Sequence, residues 1–194
     1  MLSDKLKNYH LILASGSPRR QQFFKDLGLE FEIRLKPVVE DYPSRLTHFE
    51  ISDYLSQLKS LPFKDELQSN DILITSDTIV WNDHKALGKP SGKEDAFQML
   101  QSMSNKTHEV ITSVCFTTVS SQKTVNATTK VTFKALSEDE INYYIDNFKP
   151  FDKAGAYGIQ EWIGHIGITS IEGSYFNVVG LPTHLVYKTL NSMV

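Results

Sequence analysis

The first residues that could do chemistry form a turn between an apolar run and a helical pattern. The run Leu11–Ala14 is followed by Ser15-Gly16-Ser17-Pro18-Arg19-Arg20. Ser17 is a favoured N-cap and Pro18 suits a first helical position, so free backbone amides should lie here at the positive end of a helix dipole. Two arginines at that end are unfavourable unless an anion binds. The turn predicts an anion or phosphate site, and the alternative is a capped helix with solvated arginines.

A carboxylate follows the next long apolar run. Asp77 lies in Ser76-Asp77-Thr78, shortly after Ile72-Leu73-Ile74. Open α/β sheets place their chemistry at the carboxyl ends of central strands. A carboxylate there could hold a divalent ion or take a proton from an attacking water. The alternative is an aspartate that hydrogen-bonds a turn at a strand end.

Four further charged residues complete the candidates: Glu40, Lys59, Lys89 and Lys153. The last lies in a stretch rich in small residues, 152–160, whose backbone could approach a ligand closely. Each charge taken alone is more typical of a solvated surface. Together with the turn and Asp77 they predict an anionic ligand, with phosphate as the best candidate, and they leave metal assistance open.

The composition excludes several classes of protein. Hydrophobic residues make up 40% and charged residues 22% of the 194 residues, which is typical of a globular chain. The net charge of -3 argues against a stable nucleic-acid partner. The single cysteine, Cys115, excludes a disulfide scaffold and fits a reducing, cytoplasmic location. No apolar run approaches the roughly 20 residues of a membrane span, so no membrane partner is expected.

Strand and helix patterns alternate along the whole chain. Strand patterns cover residues 9–14, 31–35, 72–81, 110–119 and 125–133, and the last two should form a hairpin. Helix starts are predicted at Ser17, at the capping boxes Thr47/Glu50, Ser91/Glu94 and Ser137/Glu140, and after Pro182. The helix after Ser137 should carry one apolar stripe, formed by Ile141, Tyr144, Ile145 and Phe148. This alternation predicts one α/β domain over residues 1–194, with a mixed sheet flanked by helices.

Five segments carry a resemblance that extends over nearly the whole chain. In order they are Leu13-Ala14-Ser15-Gly16-Ser17-Pro18-Arg19-Arg20, Ser76-Asp77-Thr78-Ile79-Val80, Leu87-Gly88-Lys89-Pro90, and residues 152–160 and 172–182. They resemble the Maf family of nucleoside triphosphate pyrophosphatases, once described as septum-formation inhibitors. The resemblance implies a twisted mixed sheet and two lobes with a deep cleft, similar to the fold of the inosine triphosphatase family.

The resemblance also implies a reaction and its residues. The family hydrolyses a nucleoside triphosphate between its α- and β-phosphates, with a divalent cation such as Mg²⁺, Mn²⁺ or Co²⁺. Its proposed proton acceptor matches Asp77, and its other cleft positions match Ser15, Arg20, Glu40, Lys59, Lys89 and Asp152. A housecleaning role, a link to cell-division arrest and a homodimer are implied in the same way.

Three positions separate two branches of the family, one preferring dTTP and UTP and the other 7-methyl-GTP. This chain has Arg19, Thr78 and Gln160, which resemble the dTTP/UTP set. A glutamine side chain can both donate to and accept from the O4 and N3–H edge of a pyrimidine, which an arginine alone could not. The resemblance therefore implies dTTP and UTP as substrates.

Together these assignments form a mechanistic hypothesis. Phosphate groups would be bound by Ser15, Arg20, Lys59, Lys89 and Lys153, and the metal by Asp77, Glu40 and Asp152. Asp77 would also orient or deprotonate the attacking water. Two alternatives stay open: the same chemistry on CTP or on modified or non-canonical nucleotides, and a nucleotide-binding regulator of cell division. A nucleic-acid-binding module is disfavoured.

Overall fold

The structure, a computed structural model, describes all 194 residues. The strands are His10–Leu13 (β1), Glu32–Ile33 (β2), Asp71–Asn82 (β3), Lys85–Leu87 (β4), Thr107–Thr117 (β5), Gln122–Phe133 (β6) and Ile168–Glu172 (β7). The α-helices are Leu2–Lys5 (α1), Pro18–Asp26 (α2), Phe49–Leu58 (α3), Lys93–Met103 (α4), Glu138–Phe148 (α5), Trp162–Gly167 (α6), Tyr175–Val179 (α7) and Thr183–Met193 (α8). None of the helices combines the length and apolar character needed to cross a membrane.

The strands form one mixed sheet. Their order is β2-β1-β3-β5-β6-β7, and β4 pairs with β3 outside this path. Strand β1 is parallel to β2 and β3, whereas β4 on β3 and β7 on β6 are antiparallel. Strands β5 and β6 are neighbours joined only by residues 118–121, and so short a connection permits only an antiparallel pair. The predicted α/β class, with a hairpin in a mixed sheet, is confirmed.

The chain divides into two compact units. Unit 1 comprises Met1–Asp77, Thr112–Ala127 and Gly180–Val194, and unit 2 comprises Thr78–Ile111 and Thr128–Val179. Strands β3, β5 and β6 contribute residues to both units. Each unit has buried apolar residues from its own strands and helices, for example Ile12, Phe63 and Leu73 in unit 1 and Leu100, Phe133 and Tyr144 in unit 2.

Two predicted helix starts are confirmed, those of α2 and α5. The Ser17 side chain accepts a hydrogen bond from Arg20 N, with Pro18 at the start of α2. Ser137 and Glu140 form a complete capping box at the start of α5. Local side-chain bonding to free amides explains why these starts could be read from sequence.

The predicted capping box at Ser91 has a different partner. Both the backbone N and the Oγ of Ser91 donate to Asp95 Oδ2, at 2.8 and 3.0 Å, and the prediction of Glu94 was wrong. The helix begins one residue later than expected, after Gly92, so the acid that can reach back is also one residue later.

The strand predicted over residues 31–35 is mostly wrong. Strand β2 has only two residues, and they pair with β1 as Ile12↔Glu32 and Leu13↔Ile33. The alternating apolar side chains do not line a buried face, because Ile33 is 45% exposed and Leu35 is 60% exposed. Strand β2 lies at the edge of the sheet, where only one neighbour can support it.

Candidate active site

Asp77 lies within β3 rather than at its end. Strand β1 pairs with β3 as far as Leu13↔Ile74, and β3 continues past the end of that parallel pairing to Asn82. Asp77 is therefore just beyond the end of the parallel pair, which is the position that open α/β sheets use for ligands. Asp77 is only 6% exposed, and it is the last residue of β3 that belongs to unit 1.

Lys59 makes the principal contact with Asp77. Its Nζ donates to Asp77 Oδ1 at 2.5 Å and lies 3.2 Å from Glu40 Oε2. Lys59 occupies the C-cap of α3, so the end of that helix sets where its side chain begins. The next residue, Ser60, is buried and its Oγ accepts from Gln122 Nε2 at 2.9 Å, which fixes the backbone beside the lysine.

The structure thus gathers three predicted site residues of unit 1 into one charged group. Two carboxylates, Asp77 and Glu40, surround the single ammonium of Lys59 and leave one net negative charge. Charge-assisted hydrogen bonds of this kind are roughly twice as strong as neutral ones. Glu40 is the more exposed partner, so it can move while Asp77 is held by the surrounding strand.

These carboxylates fit a hard divalent cation that arrives with a phosphate ligand. Mg²⁺ is commonly bound through one or two carboxylates plus substrate phosphates rather than by a complete protein cage. Asp77 and Glu40 are carboxylates already gathered around one positive charge. No group of three or more His, Cys, Asp or Glu residues is arranged to hold a metal by itself. Asp152, the third predicted ligand, belongs to unit 2 and pairs there with Lys153.

Arg20 donates to backbone carbonyls of two separate segments of unit 1. Its Nε donates to Gly180 O at 2.8 Å and its Nη1 donates to Ser76 O at 2.9 Å. Burial lowers the pKa of the Arg20 guanidinium, and the negative charge of Asp77 opposes that shift. Arg20 therefore ties the first turn of α2 to the strand segment directly before Asp77.

The turn before α2 is held by local hydrogen bonds. Ser15 is buried, and its Oγ accepts from Ser17 N at 3.3 Å. The Ser15 carbonyl accepts from Gln21 Nε2 at 3.0 Å. Arg19 is half-buried on the first turn of the same helix. These contacts give the predicted phosphate turn a defined shape.

A second charged group lies in unit 2. Lys153 Nζ is 2.7 Å from Asp152 Oδ1 and 3.0 Å from Glu161 Oε1. The Lys153 side chain is 10% exposed, whereas that of Asp152 is 61% exposed. Glu161 was not among the predicted residues, yet it is the more buried of the two acids on this lysine.

Two other predicted residues of unit 2 present polar groups without such pairing. Gln160 and Lys89 are exposed, with no hydrogen bond or ion pair to the rest of the protein. Thr78 is half-buried on β3. Gly155 N donates to Gly88 O at 3.0 Å, which holds the two loops of Lys89 and Lys153 together.

Tyr144 is the functional candidate that sequence reasoning assigned only to the core. The apolar stripe of α5 correctly predicted that its ring is buried. Its hydroxyl donates to Glu161 Oε2 and accepts from Gly158 N. No local sequence pattern predicts that contact, because the two partners lie in a different segment from the helix.

Comparison with known proteins then decides the family. Residues 10–193 match the family described as Maf-like protein. The chain belongs to the Maf-like family. The predicted resemblance is confirmed, and it extends over the segments that carry both charged groups.

Curated relatives match the chain over its full length. The dTTP/UTP pyrophosphatase of Flavobacterium johnsoniae is 62% identical over 194 residues, covering 100% of both chains. The protein of that name from Christiangramia forsetii is 60% identical over 194 residues, covering 100% of this chain and 99% of its own. Its counterpart from Flavobacterium psychrophilum is 60% identical over 190 residues, covering 98% of this chain and 97% of its own.

A solved structure shares the fold. The Staphylococcus aureus Ham1 protein matches with a TM-score of 0.54, covering 95% of this chain and 100% of that chain. Its sequence identity is 14%, so this likeness concerns the fold alone.

Proposed function

We propose that this chain is a dTTP/UTP pyrophosphatase, which hydrolyses either nucleotide between its α- and β-phosphates to the monophosphate and pyrophosphate. One observation carries the proposal: relatives named for that activity match the chain from end to end at 60 to 62% identity. The charged group of Asp77, Lys59 and Glu40 supports it, because it supplies the side chains that such a reaction needs.

Asp77 acts on the attacking water in this proposal. The water oxygen forms a bond to the α-phosphorus while its proton passes to the Asp77 carboxylate. The bond from the α-phosphorus to the bridging oxygen breaks, and that oxygen leaves with its electron pair as part of pyrophosphate. Phosphoryl transfer depends mainly on positioning and charge stabilisation. The burial of Asp77 supports this role, since a firmly held carboxylate can orient a water for in-line attack.

Lys59 exchanges partners when the substrate binds. In the free protein its ammonium is paired with both Asp77 and Glu40. A flexible lysine can reach phosphate oxygens as a point charge, and this move releases both carboxylates. Asp77, Glu40 and Asp152 would hold the divalent cation that accompanies the triphosphate. That cation, when bound, offsets negative charge on the triphosphate and on the leaving pyrophosphate.

The remaining positive residues bind or balance the phosphates. Lys89 is exposed without an ion pair, which suits a residue that meets its partner only when substrate arrives. Lys153 can exchange the exposed Asp152 for a phosphate oxygen while keeping Glu161. Two of the Arg20 donors are already bound to backbone carbonyls. Arg20 therefore balances the phosphate charge through its own fixed positive charge, and Ser15 of the same turn contributes with it.

Gln160, with Arg19 and Thr78, recognises the base. Its exposed amide has no partner in the protein, so it can both donate to and accept from the O4 and N3–H edge shared by thymine and uracil. Cytosine has an amino donor in place of O4 and an unprotonated N3, so the same amide orientation cannot satisfy both of its groups. This difference accounts for the proposed preference.

A triphosphate panel tests the proposal. Purified protein is given dTTP, UTP, CTP, GTP or ITP with Mg²⁺, Mn²⁺ or Co²⁺ in turn, and monophosphate and pyrophosphate are both quantified. The expected result is equal release of the two products, fastest with dTTP and UTP. Release of orthophosphate with a nucleoside diphosphate would contradict the reaction, and a preference for CTP or ITP would contradict only the substrate assignment.

The proposal extends to location and assembly. A cytoplasmic enzyme agrees with the single buried cysteine, Cys115, which needs no oxidising compartment. The family resemblance implies a homodimer. Sedimentation equilibrium of the purified chain measures its mass in solution, and a monomer at all concentrations would contradict the dimer.

A further inference from the structure

One buried hydroxyl contacts both ends of the turn that carries Gln160. Gly158 N donates to Tyr144 Oη at 3.0 Å, and Tyr144 Oη donates to the Glu161 carboxylate. Glu161 N donates to Gly158 O at 3.0 Å and closes the four-residue turn 158–161. Gln160 is the third residue of that turn, so its backbone is held from both sides.

Gln160 depends on this backbone because its side chain makes no contact that would orient it. Its amide is exposed and forms no hydrogen bond within the protein. The preceding residue, Ile159, is buried and anchors the turn from inside. The turn, and the elements that hold it, therefore fix where the Gln160 side chain leaves the backbone and so which positions its amide can reach.

Tyr144 is a rigid support. It lies on α5, is fully buried, and its ring stacks on Phe148 with centroids 5.3 Å apart. Burial, together with the neighbouring Glu161 carboxylate, raises the pKa of Tyr144, so its hydroxyl keeps the proton that it donates. A buried tyrosine with two satisfied hydrogen bonds has little freedom to move.

Glu161 is held by a second contact and packs directly on the turn. Its other carboxylate oxygen lies 3.0 Å from Lys153 Nζ. A Cβ added to Gly158 would lie 2.9 Å from Glu161 Cδ and 3.1 Å from Lys153 Cε. A larger residue at position 158 would force these two side chains to shift, which shows how closely the Glu161 carboxylate covers the turn.

We propose that Tyr144 and Glu161 are positioning residues that determine how Gln160 meets the pyrimidine base. The inference rests on the proposed function, because it takes the base-reading role of Gln160 from it. Neither residue needs to touch the nucleotide. Loss of either lets the turn shift, and a two-point contact between an amide and a base edge tolerates such shifts poorly.

The test compares Tyr144→Phe and Glu161→Gln with the wild type. Tyr144→Phe keeps the ring and removes the hydroxyl, and Tyr143→Phe on the exposed side of the same helix is the matched control. For each protein, kcat/KM is measured for dTTP, UTP and CTP, and the unfolding midpoint is measured in urea. The expected result is about a fivefold fall in the ratio of dTTP to CTP for Tyr144→Phe, with no change for Tyr143→Phe.

A double variant separates positioning from a general loss of structure. In Gln160→Ala the residue that reads the base is absent, so adding Tyr144→Phe should cause no further fall in the dTTP to CTP ratio. A fall of equal size in both backgrounds, or an equal loss of activity on all three nucleotides, would overturn the inference. If Tyr144→Phe does not fold, Glu161→Gln provides the same comparison.

The two proposals fail in different ways. If the wild type releases no pyrophosphate from dTTP or UTP, the proposed function is wrong. If the wild type prefers these nucleotides and the ratio is unchanged in both Tyr144→Phe and Glu161→Gln, only the positioning role is wrong.

Discussion

Lys59 Nζ lies 2.5 Å from Asp77 Oδ1, at the place where β3 passes from unit 1 into unit 2. The pair is largely buried, with side-chain exposures of 19% for Lys59 and 9% for Asp77. An ammonium this close occupies one side of the carboxylate that is proposed to bind water and a cation. Under the proposed function, substrate must therefore draw the lysine away before Asp77 can act.

We expect Asp77→Asn to fold normally and to lose turnover by a factor on the order of 10² or more. The amide has nearly the same shape, but it cannot accept the proton of the attacking water. The measurement is pyrophosphate release from dTTP, with thermal unfolding as the check on folding. Asp83→Asn is the control, since Asp83 is an exposed acid paired with a lysine, Lys106. Near-normal turnover of Asp77→Asn would remove Asp77 from this role.

Lys59→Met should bind Mn²⁺ more tightly than the wild type when no nucleotide is present. Removing the ammonium leaves Asp77 and Glu40 without their counter-charge, and an opposite charge at about 4 Å is worth about 4 kcal/mol at an effective dielectric of 20. We therefore expect at least about a tenfold tighter dissociation constant, measured by electron paramagnetic resonance titration. Turnover should fall, because the same lysine is proposed to bind phosphate.

The matched control is Lys36→Met, because Lys36 is also a half-buried lysine paired with an acid, Glu66, but neither residue belongs to the candidate site. Equal Mn²⁺ affinity in Lys59→Met and the wild type would mean that the carboxylates do not hold the cation.

The residues of the charged group in unit 1 differ in how far sequence could predict them. Asp77 could be found because a polar residue after a buried apolar strand is a local pattern. The partners on Lys59 could not be derived from spacing, because Glu40, Lys59 and Asp77 belong to three separate segments. The family resemblance supplied these residues without supplying their contacts.

Tyr144 and Glu161 show the limit most clearly. Helical spacing predicted the burial of the Tyr144 ring, and nothing local predicts where its hydroxyl points. The short β2 shows the opposite error, since alternation of Phe31, Ile33 and Leu35 indicates a half-buried strand wherever it occurs. Alternation cannot reveal how many neighbours a strand has in the sheet, and β2 has only β1.

Gln160→Ala should change the ranking of nucleotides more than the stability of the fold. Because the side chain is exposed and makes no hydrogen bond, its removal should change the free energy of unfolding by less than about 0.5 kcal/mol. Rates with dTTP and UTP should fall towards the rate with CTP, measured as kcat/KM. An unchanged ranking would contradict the assignment of Gln160 to the base.

Arg20→Met should destabilise the protein by roughly 3 kcal/mol. The substitution leaves the carbonyls of Ser76 and Gly180 without the donors that they have now, and it removes a charge that faces Asp77. The measurement is urea unfolding of the variant and the wild type. Arg34→Met is the control, because Arg34 pairs only with the nearby Glu32 and exposed ion pairs contribute little. Equal midpoints for Arg20→Met and Arg34→Met would contradict the structural role.

Stability should also depend on pH through His108. Its ring is buried against Phe133 and Tyr157, its Nε2 lies 2.8 Å from Tyr157 Oη, and its Nδ1 has no partner. Burial lowers the pKa of His108 from 6.5 to about 4. Between those values the unfolded chain binds a proton that the folded protein does not, so the free energy of unfolding falls as pH is lowered from 6.5 to 4. The total fall in the free energy of unfolding over this window is about 3 kcal/mol, and above pH 6.5 none of it has occurred.

His108→Gln tests this linkage because glutamine can keep the hydrogen bond to Tyr157 and does not titrate. Urea unfolding at intervals between pH 4 and 7 gives the slope of stability against pH for each protein. His184→Gln, at an exposed histidine on α8, is the control and should retain the wild-type slope. The slope of His108→Gln should be smaller by up to one proton across this window. If both variants keep the wild-type slope, another group is responsible for the acid sensitivity, because a neutral glutamine leaves no titration at position 108.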